Sequence, residues 1–116
     1  MLEKVDLSKK IEKKEYKAAL KEESEKLSLL QRRCQAAQIP VMIVFEGFSA
    51  AGKGTQINRV IQPLDPRGFL VHASSKTTEE EKMRPFLWRY WIKVPARGRI
   101  AIFDRSWYRS VLSDRF

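Results

Sequence analysis

Four residues at a fixed spacing point to phosphate chemistry. Gly47, Gly52, Lys53 and Thr55 sit in the run Glu46-Gly47-Phe48-Ser49-Ala50-Ala51-Gly52-Lys53-Gly54-Thr55. The spacing Gly47-x4-Gly52-Lys53 fits the phosphate-loop pattern G-x-x-x-x-G-K-[ST], except that Gly54 stands where a hydroxyl is expected and Thr55 follows one place later. Small residues at Ser49, Ala50, Ala51 and Gly54 let backbone N–H groups approach phosphate oxygens, and a following helix start adds partial positive charge. Lys53 supplies a mobile point charge for the outer phosphates. The Thr55 hydroxyl can serve a metal ion or a phosphate. A second group lies far along the chain. Asp104 ends the apolar run Ile100-Ala101-Ile102-Phe103 and reads as a carboxylate holding Mg²⁺ directly or through water. Arg105 and Arg109 follow it and can neutralise charge on transferred oxygens. The competing reading is a glycine-rich turn with no ligand and an Asp104 that merely caps a helix.

Those groups act together only if the chain brings them to one place. Residues 41–46 are nearly all apolar, as in a parallel strand buried on both faces. A helix is expected from Gly52 to about Gln62, ended by Pro63, Pro66 and Gly68. Phe69-Leu70-Val71-His72-Ala73 reads as a second strand. Thr77 or Thr78 caps a helix that opens on Glu79-Glu80-Glu81 and runs to about Lys93. Its aromatic-rich stripe is Met83, Phe86, Leu87, Tyr90 and Trp91. Pro95 to Gly98 form a turn, Arg99–Asp104 a third strand, and Ser106 starts a last helix. This alternation predicts an α/β fold with a parallel sheet and right-handed crossovers. Ligands of such sheets bind beyond the carboxyl ends of the strands, where both the glycine loop and Asp104 fall.

Residues 1–38 read as an N-terminal helical extension, with Ser8 as N-cap and Ile11, Tyr16, Leu20, Leu27, Leu30 and Cys34 on one face. It is expected to pack on the sheet unit or on a partner subunit in a homo-oligomer. Residues 39–116 form the phosphate-binding unit. Several side chains carry two readings. Arg84 and Arg89 either contact phosphate or a base, or cover apolar surface with their stems. Trp88 and Trp91 read as core packing rather than base stacking. His72, with no visible partner, reads as structural.

The chain carries 23 Lys+Arg against 14 Asp+Glu, a net charge of +9, and most of the excess falls in residues 39–116. Such a field favours polyanions. Nucleic acid is a distant choice, since no base-reading motif is present. No run reaches the length of a membrane span. The charged start from Glu3 onward argues against a signal peptide, and a single cysteine fits a reducing cytoplasm.

Four motifs in order resemble the polyphosphate kinase 2 family: Gly47-Phe48-Ser49-Ala50-Ala51-Gly52-Lys53-Gly54, Pro63-Leu64-Asp65-Pro66-Arg67-Gly68-Phe69, Pro85-Phe86-Leu87-Trp88-Arg89-Tyr90-Trp91 and Ile102-Phe103-Asp104-Arg105-Ser106-Trp107-Tyr108. The resemblance implies a thymidylate-kinase-like, three-layer P-loop fold. It implies Mg²⁺-dependent transfer of phosphate between inorganic polyphosphate and nucleotides (AMP, ADP, ATP or guanine equivalents). Lys53 and the loop amides would hold phosphate, Asp104 would serve the metal, and Arg105 would contact phosphate. The family pattern carries Asp where this chain has Ser49, and a serine supplies neither its charge nor its basicity. Family members also continue well past the last motif, with more strands and a basic lid, so an incomplete catalytic domain is expected. Gly52-Lys53-Gly54-Thr55-Gln56 resembles the adenylate kinase loop too, which leaves an ATP-dependent nucleoside monophosphate kinase and a non-catalytic binding module as alternatives.

Overall fold

A computed structural model describes residues 10–113. The expected cap at Ser8 lies outside the described residues. The elements follow as α1 (Lys13–Ala36), β1 (Val41–Phe45), α2 (Lys53–Ile61), a 3-10 turn (Pro66–Gly68), β2 (Phe69–Ala73), α3 (Glu79–Lys82), α4 (Trp88–Trp91), β3 (Ile100–Asp104) and α5 (Trp107–Ser113). The three strands run parallel in the order β1-β3-β2.

β3 lies in the middle because its sequence is apolar on both faces. Ile100 and Ile102 join Ile57 and Leu64 on one side, with Leu27 of α1 and Val60 and Ile61 of α2 packed around them. Ala101 and Phe103 face the other way and meet Tyr90, Leu87 and Trp107. Helices therefore cover both faces of the sheet, which gives the three layers expected. Ile102 and Phe103 are essentially inaccessible, and burying each contributes about 2–3 kcal/mol. The Trp107 ring stands edge-on to Phe103 at 5.7 Å and to Tyr90 at 6.0 Å. This aromatic cluster seats the start of α5 beside the end of β3.

The carboxyl ends of the strands are flush. Phe45 pairs with Asp104, and Asp104 pairs with Ala73. The loops after all three strands leave from one row.

The C-terminal half of α1 docks on the sheet unit through a reciprocal amide clip. Gln31 is buried; its Nε2 donates to Asp65 O at 3.0 Å, and Asp65 N donates to its Oε1 at 2.7 Å. Gly68 leaves room for that clip, since a Cβ there would stand 2.4 Å from Gln31 Nε2. Asp65 also accepts from the guanidinium and the backbone N–H of Arg67, which hold its carboxyl down at about 2.

One expected element is different. The helix anticipated over residues 79–93 is two short helices, α3 and α4. Pro85 is the cause: it has no N–H for a helical bond and clashes with the preceding turn. α3 does begin as expected, with a capping box in which Thr78 Oγ1 and Glu81 serve each other's backbone N–H. The break also undoes the single aromatic stripe. Leu87 and Tyr90 reach the core, whereas Met83, Phe86 and Trp91 are exposed, Trp91 at 58%. Trp91 is therefore not core packing, and Trp88 lies half-buried under the Arg84 guanidinium, 5.2 Å from its ring centre.

Candidate active site

The glycine loop is a strand-to-helix turn whose backbone is bent by left-handed residues. Gly52, the residue before α2, has φ 82°, a conformation glycine takes at no steric cost. Ala50 has φ 61° without that freedom. Lys53, the first residue of α2, folds back over the loop. Its ammonium donates to Gly47 O at 2.9 Å and to Phe48 O at 2.7 Å.

A cleft of about 480 Å³ opens at the row of strand ends. Ala50, Ala51, Gly52, Lys53, Gly54 and Thr55 form one wall; Ala73, Ser74, Asp104 and Arg105 form the other. The glycine loop and the residue-104 carboxylate, 51 positions apart by the difference of their numbers, thus face the same space. Asp104 Oδ1 is buried and accepts no hydrogen bond. A buried carboxylate oxygen without a partner is costly, and Asp104 lines a cleft together with a lysine and a threonine.

Arg105 takes φ 64° where β3 ends. Its N–H donates to Phe45 O at 3.0 Å, and its carbonyl accepts from Ser74 Oγ at 2.9 Å. It borders two further cavities. One, about 420 Å³, is lined by Glu46, Gly47, Phe48, Ser49, Tyr108 and Arg109; the other, about 440 Å³, by Ser74, Ser75, Lys76, Thr77, Arg89 and Arg109 among others.

A protein-family model described as Polyphosphate kinase 2 (PPK2) matches residues 10–116. The chain belongs to the polyphosphate kinase 2 family. It is 44% identical over 115 residues to the polyphosphate:AMP phosphotransferase of Pseudomonas aeruginosa, covering 99% of this chain and 23% of that protein. It is 47% identical over 79 residues to the GDP-polyphosphate phosphotransferase of Mycolicibacterium smegmatis, covering 68% of this chain and 28% of that protein. The crystal structure of polyphosphate kinase 2 from Arthrobacter aurescens TC1 superposes with a TM-score of 0.84 at 33% identity, covering 99% of this chain and 44% of that one. The chain thus spans about a quarter of the length of the curated relatives it matches.

Within this polyphosphate kinase 2 chain, the expected site residues divide between neighbouring spaces. Ala50, Ala51, Gly52, Lys53, Gly54, Thr55, Asp104 and Arg105 share the main cleft. Gly47 and Ser49 border the adjoining cavity instead, and Arg109 borders both side cavities but not the cleft. Arg105 alone borders all three.

Arg89 lies over the Tyr90 ring, 5.6 Å from its centre, and also grips a loop, which its sequence did not suggest. It is buried; its guanidinium donates to Thr77 Oγ1 at 3.1 Å and to Ser75 O at 3.0 Å, and its Nε lies 3.5 Å from Glu81 Oε1. The Thr78 N–H, and more weakly Arg89, hold the Glu81 carboxyl below its usual range. His72 is structural, as expected: its ring stands 5.2 Å from that of Phe103, and burial, aided by Lys93, holds its pKa down.

Two residues beside the cleft, Glu46 and Ser74, were not among the site residues expected from sequence. Glu46 Oε1 accepts from Ser106 N at 2.6 Å and from Ser106 Oγ at 2.7 Å, and Tyr108 N donates to that same hydroxyl at 3.3 Å. Ser106 thereby caps α5 and ties it to the end of β1. Ser74 is the other. A serine before a helix is a legible cap signal, but partners 60 and 31 positions away are not.

Proposed function

We propose that this chain carries the phosphate-handling part of an enzyme that transfers phosphate between inorganic polyphosphate and a nucleoside mono- or diphosphate, AMP or ADP, with Mg²⁺. The observation that carries the reading is the shared cleft of Lys53 and Asp104. Phosphoryl transfer needs negative charge gathered and held in line more than it needs covalent help from the protein. Lys53 and the loop N–H groups gather it. Lys53 leaves the carbonyls of Gly47 and Phe48 to meet the phosphate. Arg105, at the meeting of three cavities, touches both the transferred group and its neighbour. The net charge of +9 suits a polyanionic donor.

The residues present fit Mg²⁺. Asp104 Oδ1 is buried and unpartnered, and the Thr55 hydroxyl lines the same cleft. Such an ion would be held by one carboxylate, waters and substrate phosphates. When bound, Mg²⁺ neutralises charge on the phosphate oxygens. Ser49 adds no carboxylate to it. No helix of the described residues is long and apolar enough to cross a membrane, and the lone cysteine accords with a cytoplasmic place of action.

The test incubates a full-length version carrying this chain with polyphosphate, Mg²⁺ and AMP or ADP and follows nucleotide phosphorylation by ³¹P NMR. New ADP or ATP, lost in Lys53→Ala and in Asp104→Asn, is the expected result. Transfer that survives both substitutions sinks the assignment of roles. Transfer from ATP but not from polyphosphate gives a nucleoside monophosphate kinase instead, and tight polyphosphate binding without turnover gives a binding module.

A further inference from the structure

Arg105 holds a conformation that its own chemistry disfavours. A non-glycine residue in the left-handed region costs about 1 kcal/mol or more and persists where its surroundings over-determine it. Three bonds do so here. Arg105 N donates to Phe45 O, and Ser74 N donates to Asp104 O at 3.1 Å. Both extend the parallel ladder by one step and need no particular side chain. The third is different: Ser74 Oγ donates to Arg105 O at 2.9 Å, and only a hydroxyl at residue 74 can make it.

The turn decides where the guanidinium goes. Along β3, residues 101 and 103 share the face covered by Tyr90. An extended residue 105 would follow them onto that face. The left-handed turn takes Arg105 out of the alternation and sets it where the three cavities meet.

Ser74 is itself held in place. The loop that follows it is gripped by Arg89, a buried cation bonded to Ser75 O and Thr77 Oγ1 and paired with Glu81. Burying a guanidinium among backbone and hydroxyl acceptors is expensive unless each contact is kept. Here both hydrogen bonds, to Ser75 O and Thr77 Oγ1, serve one short loop.

We propose that Ser74 is a positioning residue that sets Arg105 toward bound phosphate, with Arg89 fixing the loop from which Ser74 reaches. This rests on the reading of the cleft as a polyphosphate site, and the experiment has one arm that does not.

Tripolyphosphate binding to the full 116-residue chain is measured by calorimetry for wild type, Ser74→Ala, Ser74→Thr, Arg105→Ala and Ser74→Ala/Arg105→Ala. Losing one such bond weakens binding about fivefold in Ser74→Ala; Ser74→Thr, which keeps the hydroxyl, stays within about twofold. In the Arg105→Ala background, Ser74→Ala has no further effect, because its influence runs through residue 105. An equal loss in both backgrounds, or none in wild type, overturns the proposal. The second arm needs no ligand. The HN–Hα coupling and carbon shifts of Arg105, read by NMR, carry left-handed values in wild type, Ser74→Thr and Arg89→Lys alike if position 74 is held without Arg89. The proposal instead expects those values to be lost in Ser74→Ala and in Arg89→Lys and kept in Ser74→Thr; left-handed values that persist in Ser74→Ala overturn it. A wild-type chain that ignores tripolyphosphate, or a Lys53→Ala chain that binds it fully, defeats the cleft reading, and the Arg105 signals still decide the role of Ser74.

Discussion

Lys53 donates to Phe48 O at 2.7 Å, so the cation expected to grip phosphate closes its own loop. An incoming phosphate replaces two carbonyl acceptors with charged ones, and the exchange is favourable because a charge-assisted bond is roughly twice as strong as a neutral one. Lys53→Ala should therefore weaken tripolyphosphate binding about tenfold or more. Its melting midpoint should move by no more than about 2 °C, as both carbonyls are exposed to water once released. Calorimetry and thermal melts check the two halves; a large melting shift with unchanged affinity would make Lys53 a structural residue.

Asp104→Asn should separate function from stability. Oδ1 accepts no hydrogen bond in the protein, so little is lost on folding, within about 1 kcal/mol. Phosphate transfer with Mg²⁺ should fall by about a hundredfold or more, the scale for removing a group that stabilises transition-state charge. Urea melts beside the transfer assay test it. A stability loss that matches the activity loss would point to Asp104 as scaffolding.

Gly68→Ala should destabilise the chain by about 1–2 kcal/mol, the worth of two neutral hydrogen bonds. The new methyl takes the place of Gln31 Nε2, which must abandon Asp65. Adding Gly68→Ala to Gln31→Ala should then cost little more, because the clip is already gone. Urea midpoints of the four chains give the coupling, and full additivity would mean that the clip and the glycine are unrelated.

Stability should fall as pH drops from about 7.5 to 5.5. Burial, with Lys93 adding, keeps the His72 imidazole below its ordinary value. The unfolded chain takes up that proton near pH 6.5 while the folded chain resists it, so the folded state loses ground as pH falls through this window. Asp65 and Glu81, both held low, titrate further down and leave the window clear. His72 is the only histidine. His72→Phe should flatten the pH dependence of the melting midpoint; an unchanged slope would place its cause elsewhere.

Much of the site was legible because its parts are local. A glycine pattern, a strand before it and a helix after it are written within fifteen residues of each other, and β3 announces itself by four apolar residues and an aspartate. The same locality hid the rest. Nothing near Ser74 marks its bond to residue 105, and nothing near Arg89 marks a loop a dozen positions upstream as its partner. Pro85 was visible, yet the aromatic periodicity on both sides suggested one helix through it. Rigid-ring sterics decided in favour of two.

The flush row of Phe45, Asp104 and Ala73 has a consequence for how the gene can drift. Side chains alternate between faces with a period of two, so a single codon lost within 100–103 would put the aspartate in the place of Phe103, toward a helix layer, and bring Arg105 to the rim. The crossover between β2 and β3 carries no such count. Lengthening it leaves the strand ends where they are. Insertions should thus accumulate between Lys82 and Pro85, ahead of the segment that carries Leu87, Arg89 and Tyr90, and the five positions of β3 should admit substitutions without ever changing in number.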